Sequence, residues 1–69
     1  MTNKVLRLPE VMIQTGLSRS SIYLKIQKGE FPQQIKISDR SVGWLQAHVD
    51  DWLNQRIQLS IASANLGKI

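Results

Sequence analysis

The chain has 69 residues with one histidine and no cysteine, enough for one domain and incompatible with a disulfide framework, a thiolate metal site or a multi-histidine zinc site. Its longest apolar run, Val11-Met12-Ile13, falls far short of the ~20 residues that cross a bilayer, and Met-Thr-Asn-Lys at the start holds no apolar signal region. A soluble, cytoplasmic protein is expected. The net charge is +4, and it is unevenly spread. Residues 1–40 hold the bases Lys4, Arg7, Arg19, Lys25, Lys28, Lys36 and Arg40 against Glu10, Glu30 and Asp39, whereas residues 41–69 balance Arg56 and Lys68 against Asp50 and Asp51. A basic N-terminal part favours a polyanionic partner, either nucleic acid or an acidic membrane surface.

Along the chain, Leu6 and Leu8 alternate around Arg7, and Pro9 then opens a helix with Glu10 beside its positive end. Leu8, Val11, Met12 and Thr15 fall on one side of it, and Gly16 ends it. Ser18 is a good N-cap for a second helix from Arg19 to Lys28, closed by Gly29. Ile22, Ile26 and Leu17 form its buried stripe, while Arg19, Ser20, Tyr23, Leu24 and Gln27 point away. Two helices joined by three residues that include a glycine match the helix-turn-helix pattern.

Phe31-Pro32 turns the chain out of that helix. Ile35 and Ile37 then alternate with Gln34 and Lys36, and Val42 alternates with Trp44, around the polar turn Ser38-Asp39-Arg40-Ser41. These two short strands predict a β-hairpin. A third helix begins near Gln46, with Val49, Trp52, Leu53 and Ile57 on its inner face and Asp50, Asp51, Asn54 and Gln55 opposite. Residues 58–69 carry little pattern and read as an extension of that helix or a frayed tail. The expected fold is therefore mostly α with a small β-hairpin, a winged helix-turn-helix over residues 1–57 followed by a C-terminal segment over 58–69.

Catalysis finds little support, and the chain is expected not to be an enzyme. Asp50 and Asp51 are neighbours on a helix and diverge by ~100°, so they cannot flank one bond. His48 reads as a surface residue, the four glycines are dispersed rather than gathered in a phosphate loop, and no cofactor, metal or small-molecule ligand is implied. The second helix offers more. Its N-terminal part is the portion of a helix-turn-helix that enters the major groove of double-stranded DNA. Ser20, Ser21 and Tyr23 can hydrogen-bond there, and Leu24 suits a thymine methyl. Arg19, Lys25 and Lys28 would lie near the phosphates. At the hairpin tip, Lys36, Ser38 and Arg40 would meet the backbone or the adjacent minor groove. Trp44 and Trp52 are expected in the core.

Leu-Arg-Leu-Pro-Glu-Val-Met at 6–12, Thr-Gly-Leu-Ser-Arg-Ser-Ser-Ile-Tyr at 15–23, Lys-Gly-Glu-Phe-Pro at 28–32 and Arg-Ser-Val-Gly-Trp at 40–44 closely resemble the AlpA family, as does the closing helix around Val49–Leu53. The resemblance covers about residues 5–57. It implies a phage- or prophage-encoded DNA-binding regulator with a fold related to MerR-type and excisionase winged helices, controlling integrase or neighbouring prophage genes. It also implies DNA-facing positions at Arg19, Ser20, Ser21, Tyr23 and Arg40. This chain departs from the family pattern at Leu24, where a basic residue is frequent, at Lys25, where an apolar one is, and at Ser38-Asp39, which replace a frequent glycine.

Two other roles use these residues. An excisionase-type architectural factor would bend attachment-site DNA through the same surface. A protein-interaction module, such as an anti-repressor, would instead use an apolar patch of Ile13, Leu24, Ile61 and Leu66. Integrase and RNA polymerase are the protein partners that the regulatory roles bring with them, and association with the nucleoid follows from DNA binding.

Overall fold

A computed structural model describes residues 3–67, with side chains as far as Ala62. The elements run β1 (Val5–Leu6), α1 (Leu8–Thr15), α2 (Arg19–Gln27), β2 (Ile35–Ser38), β3 (Ser41–Leu45) and α3 (Gln46–Gly67). The molecule is mostly helical, with a small antiparallel sheet in the order β1-β3-β2. The sequence pattern predicts a two-stranded hairpin; the third strand comes from Val5-Leu6, pairing with Leu45 and Trp44.

Local chemistry sets the helix ends. Pro9 lies in the first turn of α1, and the Glu10 carboxylate accepts the Arg7 N–H at 3.1 Å. Gly16, at φ 73°, donates its N–H to Met12 O and stops the helix in the left-handed region. Thr15 braces the turn by donating its hydroxyl to Val11 O at 2.7 Å and accepting the Leu17 N–H at 3.3 Å. Ser18 then caps α2 by accepting the Ser21 N–H at 3.2 Å. At the far end Gly29, at φ 75°, donates to Ile26 O while Glu30 N–H donates to Lys25 O, which is the Schellman pair of bonds.

The hairpin has an unusual tip. Two-residue turns favour positive φ at their centre, because that matches the twist of the strands. Asp39 and Arg40 have no positive φ, and the register slips by one between Lys36 and Ser38. The irregularity in β2 does the work that a glycine turn does elsewhere. Gly43 is needed for another reason. A Cβ there would lie 2.6 Å from Leu6 O and 2.9 Å from the Val5 side chain. Only a residue without a side chain lets β1 lie against β3.

Leu6, Val11, Ile22, Phe31, Trp44, Val49 and Trp52 form the core, with Leu8, Met12, Leu17, Ile26 and Leu53 packed around it. Phe31 stands edge-on to both tryptophans, its ring centre 4.9 Å from that of Trp52 and 6.4 Å from that of Trp44. The indole N–H of Trp52 donates to Glu30 O at 2.7 Å, and that of Trp44 donates to Pro32 O at 3.0 Å. Residues 30–32 are thus clamped from α3 and from β3, which fixes where α2 ends. Gln14 and Gln46 exchange amide hydrogen bonds at 3.1 and 2.9 Å and tie α1 to the start of α3.

One sequence expectation changes. Ile57, expected on the inner face of α3, is 52% exposed. Among the described side chains of α3, Leu53 is the last packed on the core, because the sheet and two short helices give a body too small to cover a longer helix. Residues 58–67 continue α3 without a break, and the long helix stretches the molecule to 52 Å against 30 and 20 Å in the other directions.

Candidate nucleic-acid interface

α2 presents one face inward and one outward. Ile22 is fully buried and Ile26 packs on the core, which turns Arg19, Ser20, Tyr23, Leu24 and Gln27 to the outside. Tyr23 is 37% exposed and Leu24 50%. The Arg19 guanidinium lies over the Tyr23 ring, 6.0 Å from its centre. That stacking joins an always-charged group and a hydroxyl-bearing ring one helical turn apart, and both are held from the turn that Ser18 caps.

The remaining candidates on α2 have more varied surroundings. Ser20 is exposed and makes no side-chain hydrogen bond among the described residues, whereas Ser21 is half-buried and its hydroxyl accepts from Ser18 Oγ at 3.0 Å. Ser21 therefore belongs first to the N-cap, with its own hydroxyl proton left to donate. Lys25 lies 4.0 Å from Glu30, with 31% of its side chain exposed. A solvent-exposed pair of that kind contributes ~0–1 kcal/mol, and it occupies Lys25 without fixing it. This is the only ion pair among the described residues. Lys28, at the C-terminal end of α2, is exposed.

The hairpin supplies a second basic region. Lys36, Ser38 and Arg40 are all exposed. Lys36 pairs across the strands with Val42, and Ser38 with Ser41, so that Asp39 and Arg40 alone form the tip. Among the described residues Arg40 has no carboxylate within ion-pair distance. Asp50 is engaged instead by Gln46 Nε2 at 2.8 Å. α2 and the hairpin share one core through Ile22 and Trp44. They are joined through the core, where α1 packs on both α2 and β3, and through Pro32, whose carbonyl meets Trp44. Trp44 is fully buried and Trp52 is 9% exposed, so neither ring is free to stack on a base.

One residue that the sequence turns outward was not among the candidate DNA contacts. Gln27 lies four positions beyond Tyr23 and is exposed, and the four-residue step from Arg19 through Tyr23 was the signal for it. Of the apolar patch in the interaction-module reading, Ile13 is 82% exposed, Leu24 50% and Ile61 51%. These three lie on α1, α2 and α3 in turn, and the Leu66 side chain falls outside the described ones. His48, Asp51, Gln55 and Arg56 edge a cleft of about 530 Å³ floored by Phe31 and Trp52, where the Arg56 guanidinium lies 5.5 Å from the Trp52 ring centre. No helix of the described residues is long and apolar enough to cross a membrane.

Comparison with known proteins identifies relatives of the chain. Residues 4–57 match the model of the prophage CP4-57 regulatory protein (AlpA) family. The chain is 50% identical over 54 residues to the uncharacterized protein ORF88 of Enterobacteria phage P4, covering 78% of this chain and 61% of that protein. It is 37% identical over 62 residues to the DNA-binding transcriptional activator AlpA of Escherichia coli K12, covering 81% of this chain and 89% of the relative. The matched span runs from β1 through the first half of α3 and takes in the whole of the core and both basic regions. The chain belongs to the prophage CP4-57 regulatory protein (AlpA) family.

Proposed function

We propose that the chain is a sequence-specific, double-stranded-DNA-binding transcriptional regulator of a prophage or other mobile element, acting in the cytoplasm and catalysing no reaction. The observation that carries this reading is the outward face of α2. Exposed Arg19, Ser20, Tyr23 and Leu24 stand on a helix whose other face is buried at Ile22 and whose start is fixed by the Ser18 cap. Kinship with a relative described as a DNA-binding transcriptional activator points the same way.

On this reading the fold works as a winged helix. α2 enters the major groove, which is ~12 Å wide and admits one helix. Ser20, Tyr23 and Leu24 read base edges, and Ser21 donates its remaining hydroxyl proton to a base or phosphate. Arg19 and Lys28 anchor the flanking backbone, with Lys25 adding to them once it leaves Glu30. The β2–β3 hairpin is the wing. Lys36, Ser38 and Arg40 meet the phosphates or the neighbouring minor groove, where an arginine gains from the enhanced negative potential. Control of integrase or excision genes is the regulatory outcome, with integrase or RNA polymerase as the protein contacted at the promoter.

A fluorescence-anisotropy titration tests the proposal. One duplex comes from the intergenic DNA beside the gene, the other is random sequence of equal length. The reading expects the native duplex to bind at least ~10³-fold more tightly. Weak and equal binding to both would remove the claim of sequence-specific regulation.

A further inference from the structure

The two sides of α2 are set by Ile22, which is fully buried, and Ile26, which packs on the core. Each residue turns a helix by ~100°, so Ser20, Leu24 and Gln27, at steps of four and three, form one ridge facing away from them. All three are exposed, and Gln27 stands only ~20° around the axis from Ser20. Arg19 falls to one flank of this ridge, and Lys25 and Lys28 fall to the other. A cation on each flank suits a groove whose walls are phosphate, and it leaves the ridge over the base edges.

On that ridge Ser20 is short and Leu24 apolar, whereas Gln27 carries two donors and an acceptor on one planar amide. The Gln27 amide makes no hydrogen bond among the described residues, while those of Gln14 and Gln46 bond each other. The backbone behind it is held. Lys28 N–H donates to Leu24 O, Gly29 N–H to Ile26 O and Glu30 N–H to Lys25 O, and the indoles of Trp52 and Trp44 fix the carbonyls of Glu30 and Pro32. A side chain that starts from so fixed a point loses little beyond its own rotamers on binding. The C-terminal end of a helix also carries partial negative charge, which disfavours a phosphate beside an uncharged amide there.

Resting on the duplex-binding reading above, we infer that Gln27 reads an adenine in the major groove through a pair of hydrogen bonds. Nε2 donates to adenine N7, and Oε1 accepts from the adenine N6 amino group. A glutamine amide sets donor and acceptor side by side, and adenine is the base whose major-groove edge answers with an acceptor and a donor. Guanine offers two acceptors there and would leave Oε1 unpaired. With α2 lying along the groove, seven residues put Gln27 ~10.5 Å beyond Ser20, about three base-pair steps of ~3.4 Å. The adenine therefore lies about three pairs from the base that Ser20 meets, toward the C-terminal end of α2.

The test uses the full-length chain and the native intergenic duplex, with each adenine replaced in turn by 7-deazaadenine. That base still pairs with thymine but lacks the N7 acceptor. At one adenine the replacement is expected to weaken the unaltered chain by ~5-fold or more and to leave Gln27→Ala unaffected. Gln27→Ala should bind random DNA as the unaltered chain does, because the substitution removes no contact within the fold. Gln27→Glu offers acceptors alone, which suit the cytosine N4 amino group. When that adenine is exchanged for cytosine, Gln27→Glu is expected to prefer the cytosine duplex and the unaltered chain the adenine one. The ratio within each chain cancels the general loss from the added negative charge. A 7-deazaadenine map that is the same for Gln27→Ala as for the unaltered chain, or a Gln27→Glu chain that keeps the adenine preference, would overturn the inference and leave the duplex-binding reading standing. Failure of the unaltered chain to prefer the native duplex over random sequence would remove that reading, and the role of Gln27 with it.

Discussion

Tyr23 and Arg40 are both exposed, yet the proposed function gives them different roles. Tyr23 is a stiff ring held under Arg19 on the outward face of α2; Arg40 is a charge at a hairpin tip with no ion-pair partner among the described residues. A group that reads a base edge loses binding only where that base is present. Tyr23→Ala is therefore expected to cost ~1–3 kcal/mol on the operator and much less on random DNA. Arg40→Ala should weaken both duplexes alike and lower the steepness of the salt dependence by about one unit. Paired anisotropy titrations check both, and equal losses for Tyr23→Ala on the two duplexes would remove it from the readout set. Most single residues of this surface were legible in the sequence because exposure on a short helix follows from period alone. Ile22 and Ile26 mark the inside, which turns Arg19, Ser20, Tyr23 and Leu24 out. What period could not tell is that Ser21 is drawn back to Ser18 and that Lys25 meets Glu30, since both depend on side-chain rotamers.

Elements here are fixed by signals of two kinds, and they were not equally readable. Caps act within a few residues, so Pro9, Glu10, Gly16, Ser18 and Gly29 placed both short helices to within a residue of where they lie. Ser18→Ala removes both bonds to Ser21 and should cost ~1 kcal/mol, measured by urea unfolding. The third strand was not readable, because it depends on Val5-Leu6 meeting Trp44-Leu45 some forty residues away. Gly43 makes that meeting possible, and nothing near it in sequence says so. Gly43→Ala puts a methyl group 2.6 Å from Leu6 O, a backbone atom that cannot swing aside. The expected loss is ~2–3 kcal/mol, visible as a lowered urea midpoint, with the protection of β1 amides lost first in hydrogen exchange. Phe31 was likewise readable only as the start of a turn. Its contact with both tryptophans comes from the fold bringing residues 31, 44 and 52 together.

For the whole molecule, the charge asymmetry in the sequence acquires a shape. Five of the seven bases of residues 1–40 lie on α2, its C-cap and the hairpin, with Lys4 and Arg7 flanking β1, while the distal half of α3 carries no charge. The length of that helix was not legible: a run of small and apolar residues from Gln58 onward fits a helix extension or a frayed tail equally well. On the proposed reading Arg19, Lys28, Lys36 and Arg40 make four phosphate contacts, with Lys25 partly held by Glu30. Counterion release then predicts that log affinity falls against log salt with a slope of about −4. A slope near zero would mean that the basic residues do not meet phosphate.

The account's central claim is that α2 and the hairpin tip together form the duplex-binding surface. Amide chemical-shift mapping of the labelled chain, titrated with the native intergenic duplex, tests it most directly. The largest changes are expected at Arg19–Leu24 and Lys36–Ser41, with the cleft of Phe31, Trp52 and Arg56 little affected. Changes concentrated in that cleft or on α3, with α2 and the tip unmoved, would contradict it.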